Sequence, residues 1–407
     1  MTYNNYYRHL LLSALIVFLF LLTTQTSKAQ WSDMPSLSNG KINVLSKKGQ
    51  VLFAGTDTGG IHTSTNFGVD WDAKNNGITN KKIVAFVLKD NALIAGVGDG
   101  FGGSVFVSND EAASWQVPTQ NYNGFLFCLA EQGDDVLAGT WYGVAKSTDD
   151  GDTWNTLSTV GLPSNASVSA ILTNGTTLFA AVSSSSTNEP GMFRSTNNGD
   201  TWEDKSAGLV NTNFTAMAQI DSTLVVSIIG GGVYASSNNG ESWTTANTGM
   251  GSLIVNCLYA SGNNLLAGTN EGIFLSNDKA ASWTNISTGL PPNTKVNSIT
   301  TCGSFLFLGT DSAVWRRPTA EVITHLATKP SEISLAVYPN PSRGEFTVDM
   351  PENATEISVS NMLGQVVYKK ENPMAKQIII MTGFNKGLFL ISVKTTKGIV
   401  SKKIVLD

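Results

Sequence analysis

STDDGDTW, residues 147–154, packs three acidic side chains around a glycine and closes on a tryptophan. The stretch recurs. STNFGVDW (64–71), SNDEAASW (108–115), STNNGDTW (195–202), SSNNGESW (236–243) and SNDKAASW (276–283) align on it, giving six copies. Their tryptophans, Trp71, Trp115, Trp154, Trp202, Trp243 and Trp283, are separated by 44, 39, 48, 41 and 40 residues, and Trp31 lies 40 before the first. Self-similarity at this period marks an architecture of stacked repeats.

A second phrase precedes each box: VLFAGTDTGGIHTS, ALIAGVGDG, VLAGTWYGVAKS, LFAAVSSSS, LVVSIIGGGVYAS, LLAGTNEGIFLS and LFLGTDSAVWRR, seven in all. The last reaches Trp315 without a following box, whereas Trp31 is a box-type tryptophan without preceding strands. The two half-units complete each other. Each unit offers an apolar first strand such as VNCLYASG, a second such as LLAGT, a third such as GIFLS and a fourth starting at the box tryptophan. A lone four-stranded sheet would expose apolar faces and edges, so the units must stack. Closure into a seven-bladed β-propeller satisfies this, with the segment from Trp31 supplying the outer strand of the blade built from residues 296–317. A linear solenoid would need capping units instead.

Composition agrees with an all-β chain. Of 407 residues only 14% are charged, 39 are glycine, and helix-favouring runs are nearly absent. The formal charge of −5 comes without a long basic or acidic run, which excludes a broad surface for nucleic acid or anionic lipid. Arg8, the apolar run Leu10–Leu22 and Ser27-Lys28-Ala29 fit a cleavable signal peptide over residues 1–29, with Gln30 opening the mature chain. The run is shorter than the roughly 20 residues a spanning helix needs, and no later segment qualifies, so no transmembrane span is expected after cleavage. Cys128, Cys257 and Cys302 are too few for a disulfide framework. Cys128 and Cys257 each lie eleven residues before a Gly-Thr pair, at equivalent strand positions, and are expected to be small buried hydrophobes.

The pattern S-x-D-x-G-x-T-W resembles the Asp-box, or BNR, repeat of sialidase-type propellers. Its residues make sense by themselves. Ser147, Asp149 and Thr153, like Ser195, Asn197 and Thr201, can bond the backbone of their own turn; Gly151 and Gly199 accept positive φ; Trp154 and Trp202 bury a large ring. A calcium loop is disfavoured because Asn66, Asn197 and Asn238 replace Asp149 elsewhere and the downstream bidentate glutamate is missing. No metal and no cofactor are expected. Ala112 and Ala280 stand where glycine belongs, which predicts a different turn geometry in those two boxes.

After Trp315-Arg316-Arg317-Pro318 the repeat stops. A connector over 319–333 leads to alternating strands and Gly/Pro/Asn turns, which predict a small immunoglobulin-like β-sandwich over 334–407. Tyr338-Pro339-Asn340-Pro341 with Gly344, then Gly364, Gly387 and the terminal KKIVLD, resemble the type A C-terminal sorting domain of the Bacteroidetes type IX secretion system. The resemblance implies export across the outer membrane to the cell surface or the medium, with the secretion machinery as partner. A monomer is expected.

Sialidases on this scaffold hold the substrate carboxylate with three arginines. Residues 30–318 contain only Arg194, Arg316 and Arg317, the last two on opposite faces of one strand, so sialidase activity is excluded. Serine-hydrolase and zinc signatures are missing as well. The loops between second and third strands lie on the rim opposite the boxes, and with the loops between blades they carry Asp57, Asp99, Phe101, Trp141, Tyr142, Glu189, Glu271 and Asp311. Exposed rings beside carboxylates suit stacking on sugars with hydrogen bonds to hydroxyls. Two functions remain open: a non-catalytic binding propeller for polysaccharide or a surface protein, and a glycoside hydrolase using paired rim carboxylates.

Overall fold

The computed structural model describes residues 30–37, 40–98, 104–122, 124–183, 190–210, 213–324, 335–350, 354–361, 366–384, 386–395 and 398–407. They divide into two compact units, one ending at Ile323 and one beginning at Thr324. The expected signal peptide lies outside the described residues.

Seven antiparallel sheets succeed one another in the first unit. Blade 1 comprises Ile42–Lys48, Val51–Thr56, Ile61–Ser64 and Asp72–Ala73, and blade 2 comprises Ile83–Leu88, Leu93–Val97 and Ser104–Ser108. Blade 3 runs through Leu126–Gln132, Asp135–Thr140, Gly143–Ser147 and Asn155–Thr156; blade 4 through Val168–Asn174, Thr177–Val182, Gly191–Ser195 and Glu203–Asp204. Blade 5 holds Phe214–Ile220, Thr223–Ile228, Gly232–Ser236 and Thr244–Thr245; blade 6 holds Val255–Ser261, Asn264–Thr269, Gly272–Ser276 and Thr284–Asn285. In blade 2 the outer position is reduced to a single bridge between Val107 and Gln116.

Blade 7 is built from both ends of the unit. Val296–Cys302, Phe305–Thr310 and Val314–Pro318 are joined by Ser32–Met34, paired Ser32 with Arg316, Asp33 with Trp315 and Met34 with Val314. The first strand of each blade packs on that of the next, and blade 7 packs on blade 1, so the ring is closed. Trp31 is 2% exposed, and its indole N–H donates to the Ile286 carbonyl of blade 6 at 2.9 Å. The Arg317 guanidinium, on the strand that pairs with the closing one, donates to the same carbonyl at 3.2 Å, so both strands are tied to one point of blade 6.

Second strands are buried at every position, as in Leu93–Val97 and Thr223–Ile228, or at every position after the first, as in the other five blades, because a neighbouring blade covers each face. In six of the seven blades the first and second strands meet at a cross-strand pair whose volumes complement each other, while in blade 2 both members, Ala85 and Gly96, are small. Val44, Cys128, Cys257 and Ser298 face Gly55, Gly139, Gly268 and Gly309, whereas Ala170 and Ala216 face Ala181 and Ser227. A β-carbon on Gly309 would lie 2.4 Å from Ser298 Oγ and 2.7 Å from Ile42 Cγ2 of blade 1, so the glycine also admits the adjoining blade.

Each box is a hydrogen-bonded turn. Ser147 Oγ accepts from Gly151 N–H at 2.8 Å and donates to Asp149 Oδ1 at 2.8 Å, and Asp149 accepts in turn from the Thr153 amide at 2.8 Å. Ser195, Asn197, Gly199 and Thr201 repeat the pattern. The residue before the glycine position is left-handed in all six boxes, from Phe67 to Lys279. Ala112 and Ala280 differ from the expectation. They keep the same turn, with φ of 69° and 70° and amides bonded to Ser108 and Ser276 at 2.9 Å, because the serine clasp outweighs the about 1–2 kcal/mol that a β-carbon costs there.

The tryptophans reach further than their own hairpins. Trp115, Trp202, Trp243 and Trp283 donate from Nε1 to Lys74, Ser158, Lys205 and Ala246, each in the preceding blade, at 2.8–3.0 Å. Trp71 and Trp154 instead bond the glycine carbonyl of their own box.

The second unit is a sandwich. One sheet has the order Ala336–Tyr338, Glu345–Asp349, Lys376–Ile380; the other has Val366–Glu371, Ala354–Asn361, Gly387–Thr395, Gly398–Leu406. Phe346, Val348, Ile357, Val359, Ile391 and Val393 fill the space between them. Asn340 ties the start of this unit to its last strand, donating to Lys403 O at 2.9 Å and accepting from Val405 N at 3.0 Å. Tyr338 donates to Asp349 at 2.9 Å, and Ser342 Oγ accepts from Gly344 N at 3.1 Å. Gly387 opens a strand, while Gly364 lies outside the described residues.

Candidate functional site

At the rim away from the boxes, the pairing of first and second strands slips by one residue at the same place in every blade. A bulge of this kind frees one side chain from the ladder and re-aims it. The freed residues are Asn43, Val84, Phe127, Ser169, Thr215, Asn256 and Asn297. Fourteen residues after each comes the first residue past the second strand: Asp57, Gly98, Trp141, Ser183, Ile229, Asn270 and Asp311. The rim is therefore a ring of seven such pairs.

Blades 6, 7 and 1 carry the polar sector. Asn43 Nδ2 donates to Asp57 at 3.4 Å and to Ile83 O of blade 2 at 3.0 Å. Asn297 Nδ2 likewise donates to Asp311 at 2.8 Å and to Ile42 O of blade 1 at 3.2 Å. Asn256 joins Asn270 at 3.0 Å and Val296 O of blade 7 at 3.1 Å. These amides lash neighbouring blades together, and Asp57 and Asp311 are their acceptors as well as rim carboxylates. In blade 4 the pair is Ser183 donating to Ser169 at 2.7 Å, and in blade 5 Thr215 bonds the Val255 carbonyl at 2.6 Å.

Blade 3 replaces the polar pair with rings. Trp141 lies 6.4 Å from Phe127 and 5.0 Å from Phe125, centroid to centroid. Trp141 and Phe127 are each 39% exposed and Tyr142 52%, a large apolar surface left to solvent. The turn beneath is fixed: Thr140 Oγ1 accepts from Tyr142 N at 3.1 Å and donates to Gly143 O at 3.0 Å, and Gly143 N bonds Ala166 O at 2.9 Å. Gly124 lets the Tyr142 ring lie close, since a β-carbon there would sit 2.9 Å from it. Beside Tyr142 opens a cavity of about 310 Å³, walled by Thr159, Leu162, Pro163, Ser164 and Asn165 from the segment joining blades 3 and 4.

Of the rim residues expected from sequence, Asp57, Trp141 and Asp311 occupy the same pair position in blades 1, 3 and 7. Tyr142 and Glu271 each follow that position and donate a backbone N–H to a threonine hydroxyl. Asp99, Phe101 and Glu189 lie outside the described residues. Phe125, Phe127 and the asparagines were not anticipated. The fixed spacing of fourteen was readable, but only strand pairing shows that the two members meet.

The three arginines hold blades together. Arg194 bonds Glu241 at 2.7 Å and Asn239 O at 2.9 Å; Arg316 bonds Phe67 O at 2.8 Å and covers the Phe305 ring; Arg317 reaches Ile286 O. Cys128 and Cys257 are half-buried rather than fully buried as expected, yet desolvation of their thiols pushes them up to about 12, which keeps them protonated. On the box rim a cleft of about 400 Å³ between blades 2 and 3 is lined by Asp110, Asp149, Asp150 and Asp152. Asp150 pairs with Lys89 at 2.6 Å, and Asp149 is spent on its own turn. Among the described residues no group of three His, Cys, Asp or Glu is placed to hold a metal, and no helix is long and apolar enough to cross a membrane.

Residues 336–407 match the secretion system C-terminal sorting domain family. No curated protein matches the chain. Among solved structures, the chain is similar to the extracellular domain of the hybrid two component system BT3049 from B. thetaiotaomicron, with TM-score 0.59, 14% identity, 93% of this chain and 57% of that one covered. It thus spans little more than half the length of that domain. YCF48 from Cyanidioschyzon merolae gives TM-score 0.55 at 14% identity over 72% of this chain and 99% of its own. The GH74 xyloglucanase from Xanthomonas campestris gives 0.53 at 13% over 92% and 74%. At these identities the likeness is one of fold, the β-propeller.

Proposed function

We propose that the chain is a non-catalytic binding propeller, a member of the Asp-box class, displayed on the cell surface or released, whose ligand is a polysaccharide or a surface protein. The sorting domain supports export by the type IX route. The proposed organisation is a signal peptide over 1–29, a propeller over 30–318, a linker over 319–333 and the sorting domain over 334–407. The observation that carries the reading is the exposed group of Trp141 and Tyr142, on a turn fixed by three backbone and hydroxyl contacts, with Phe127 from the neighbouring first strand beside Trp141. Rigid aromatic rings that remain wet in the free protein bind at low entropic cost. A glycan array probed with the full chain tests it: binding above background that falls at least tenfold in Trp141→Ala supports the reading, and binding untouched by that change refutes it.

A second reading, glycosidic hydrolysis by paired rim carboxylates, draws on Asp57 and Asp311 occupying the same position on adjoining blades. Retention or inversion needs carboxyl separations of about 5–5.5 Å or 6.5–9.5 Å. Release of reducing sugar from a bound glycan, lost in Asp311→Asn, would establish it in place of simple binding.

A further inference from the structure

We infer that the ligand is an uncharged glycan chain occupying two adjoining subsites, the aromatic platform of Phe127, Trp141 and Tyr142 and the cavity beyond Tyr142. This rests on the binding reading above and adds the chemical class and the extent of the ligand.

A sugar ring presents an apolar C–H face and a rim of hydroxyls, so it needs an exposed aromatic face bordered by uncharged donors and acceptors. The platform supplies that face. The cavity supplies the border: Leu162 and Pro163 are apolar, Thr159 and Ser164 carry hydroxyls, Asn165 carries an amide, and among the described residues none that lines it is charged. Its volume, about 310 Å³, lies at the small end of ligand pockets and suits sugar units rather than a folded partner. Tyr142 belongs to both subsites, and the bond from Gly143 N to Ala166 O holds the platform turn against the cavity wall.

Charge excludes the acidic sugars. A uronate or sialate carboxylate that lost water in the cavity would need a cation, preferably a bidentate guanidinium. All three propeller arginines are engaged elsewhere, Arg194 with Glu241, Arg316 with Phe67 O and Arg317 with Ile286 O. The acidic cleft of Asp110, Asp149, Asp150 and Asp152 lies on the opposite rim and would repel the same ligands.

Titration calorimetry on the full chain uses cellohexaose, xylohexaose and mannohexaose as neutral probes, hexagalacturonate as the anionic one, and the matching disaccharides. At least one neutral hexasaccharide is expected to bind tenfold or more tightly than its disaccharide, and hexagalacturonate at least tenfold more weakly. Ser164→Trp fills the cavity from an exposed position, with its melting temperature as a folding control. It should reduce the hexasaccharide to disaccharide affinity and leave the disaccharide unchanged, whereas Trp141→Ala weakens both. Hexagalacturonate binding as well as the neutral chains, or Ser164→Trp having no effect while Trp141→Ala does, overturns this inference and leaves the binding reading standing. If no probe binds at all, the inference falls together with the polysaccharide form of that reading.

Discussion

In blade 6, a β-carbon on Gly268 would lie 2.5 Å from Cys257 Sγ and 2.7 Å from Val296 Cγ1, and Val296 is fully buried at the interface with blade 7. Ordinary contacts are about an ångström longer, so Gly268→Ala must push two blades apart or force side chains off their rotamers. Such overpacking costs about 1–3 kcal/mol. Cys257→Ala should then recover roughly half of the loss, because blades 4 and 5 already pack Ala170 against Ala181 and Ala216 against Ser227. In blade 3 the same β-carbon on Gly139 meets the Val168 backbone oxygen at 2.5 Å as well as Cys128 Sγ at 2.5 Å. A backbone carbonyl cannot swing aside, so Gly139→Ala should cost more and Cys128→Ala should rescue it less. Urea unfolding followed by far-UV circular dichroism reads both cycles as midpoint shifts at constant slope. Gly268→Ala within about 0.5 kcal/mol of the parent, or equal rescue in the two blades, would refute the idea that these glycines set the spacing between blades.

Trp31→Ala removes a buried indole from the closing strand and should destabilise the propeller by about 3–5 kcal/mol, and Trp71→Ala, half-buried, by clearly less; thermal melts compare them. The bonds from the Ser114 hydroxyl and amide, then from Ser108, hold the Asp110 carboxyl at about 2 against 3.8 when unfolded, so its stabilisation is present above about pH 4 and lost as pH falls towards 2. Asp110→Asn, the residue type three other boxes use, should therefore melt like the parent at pH 7 and show a shallower loss between pH 4 and 2. With both thiols pushed up to about 12 by burial, Cys128 and Cys257 should resist iodoacetamide at pH 8 until the chain is denatured, as read by intact mass.

The repeat, its number and the complementary half-units at Trp31 and Trp315 were legible in the chain because each box closes within eight residues: Ser147, Asp149, Gly151 and Thr153 satisfy one another whatever lies beyond. The order of motifs from Tyr338 to the terminus was equally local. Contacts that cross from blade to blade were not legible. That Trp115 bonds Lys74, that Asn297 reaches Ile42 O, and that Arg316 and Arg317 serve blades 1 and 6 depend on how far the ring curves, which no single repeat encodes. The same holds for the rim. Sequence placed Trp141, Tyr142, Asp57 and Asp311 on one edge, but only the folded ring brings Phe127 against Trp141 and opens a cavity between Tyr142 and residues 159–166, since a bulge in one strand and the path of the next connection fix those approaches together.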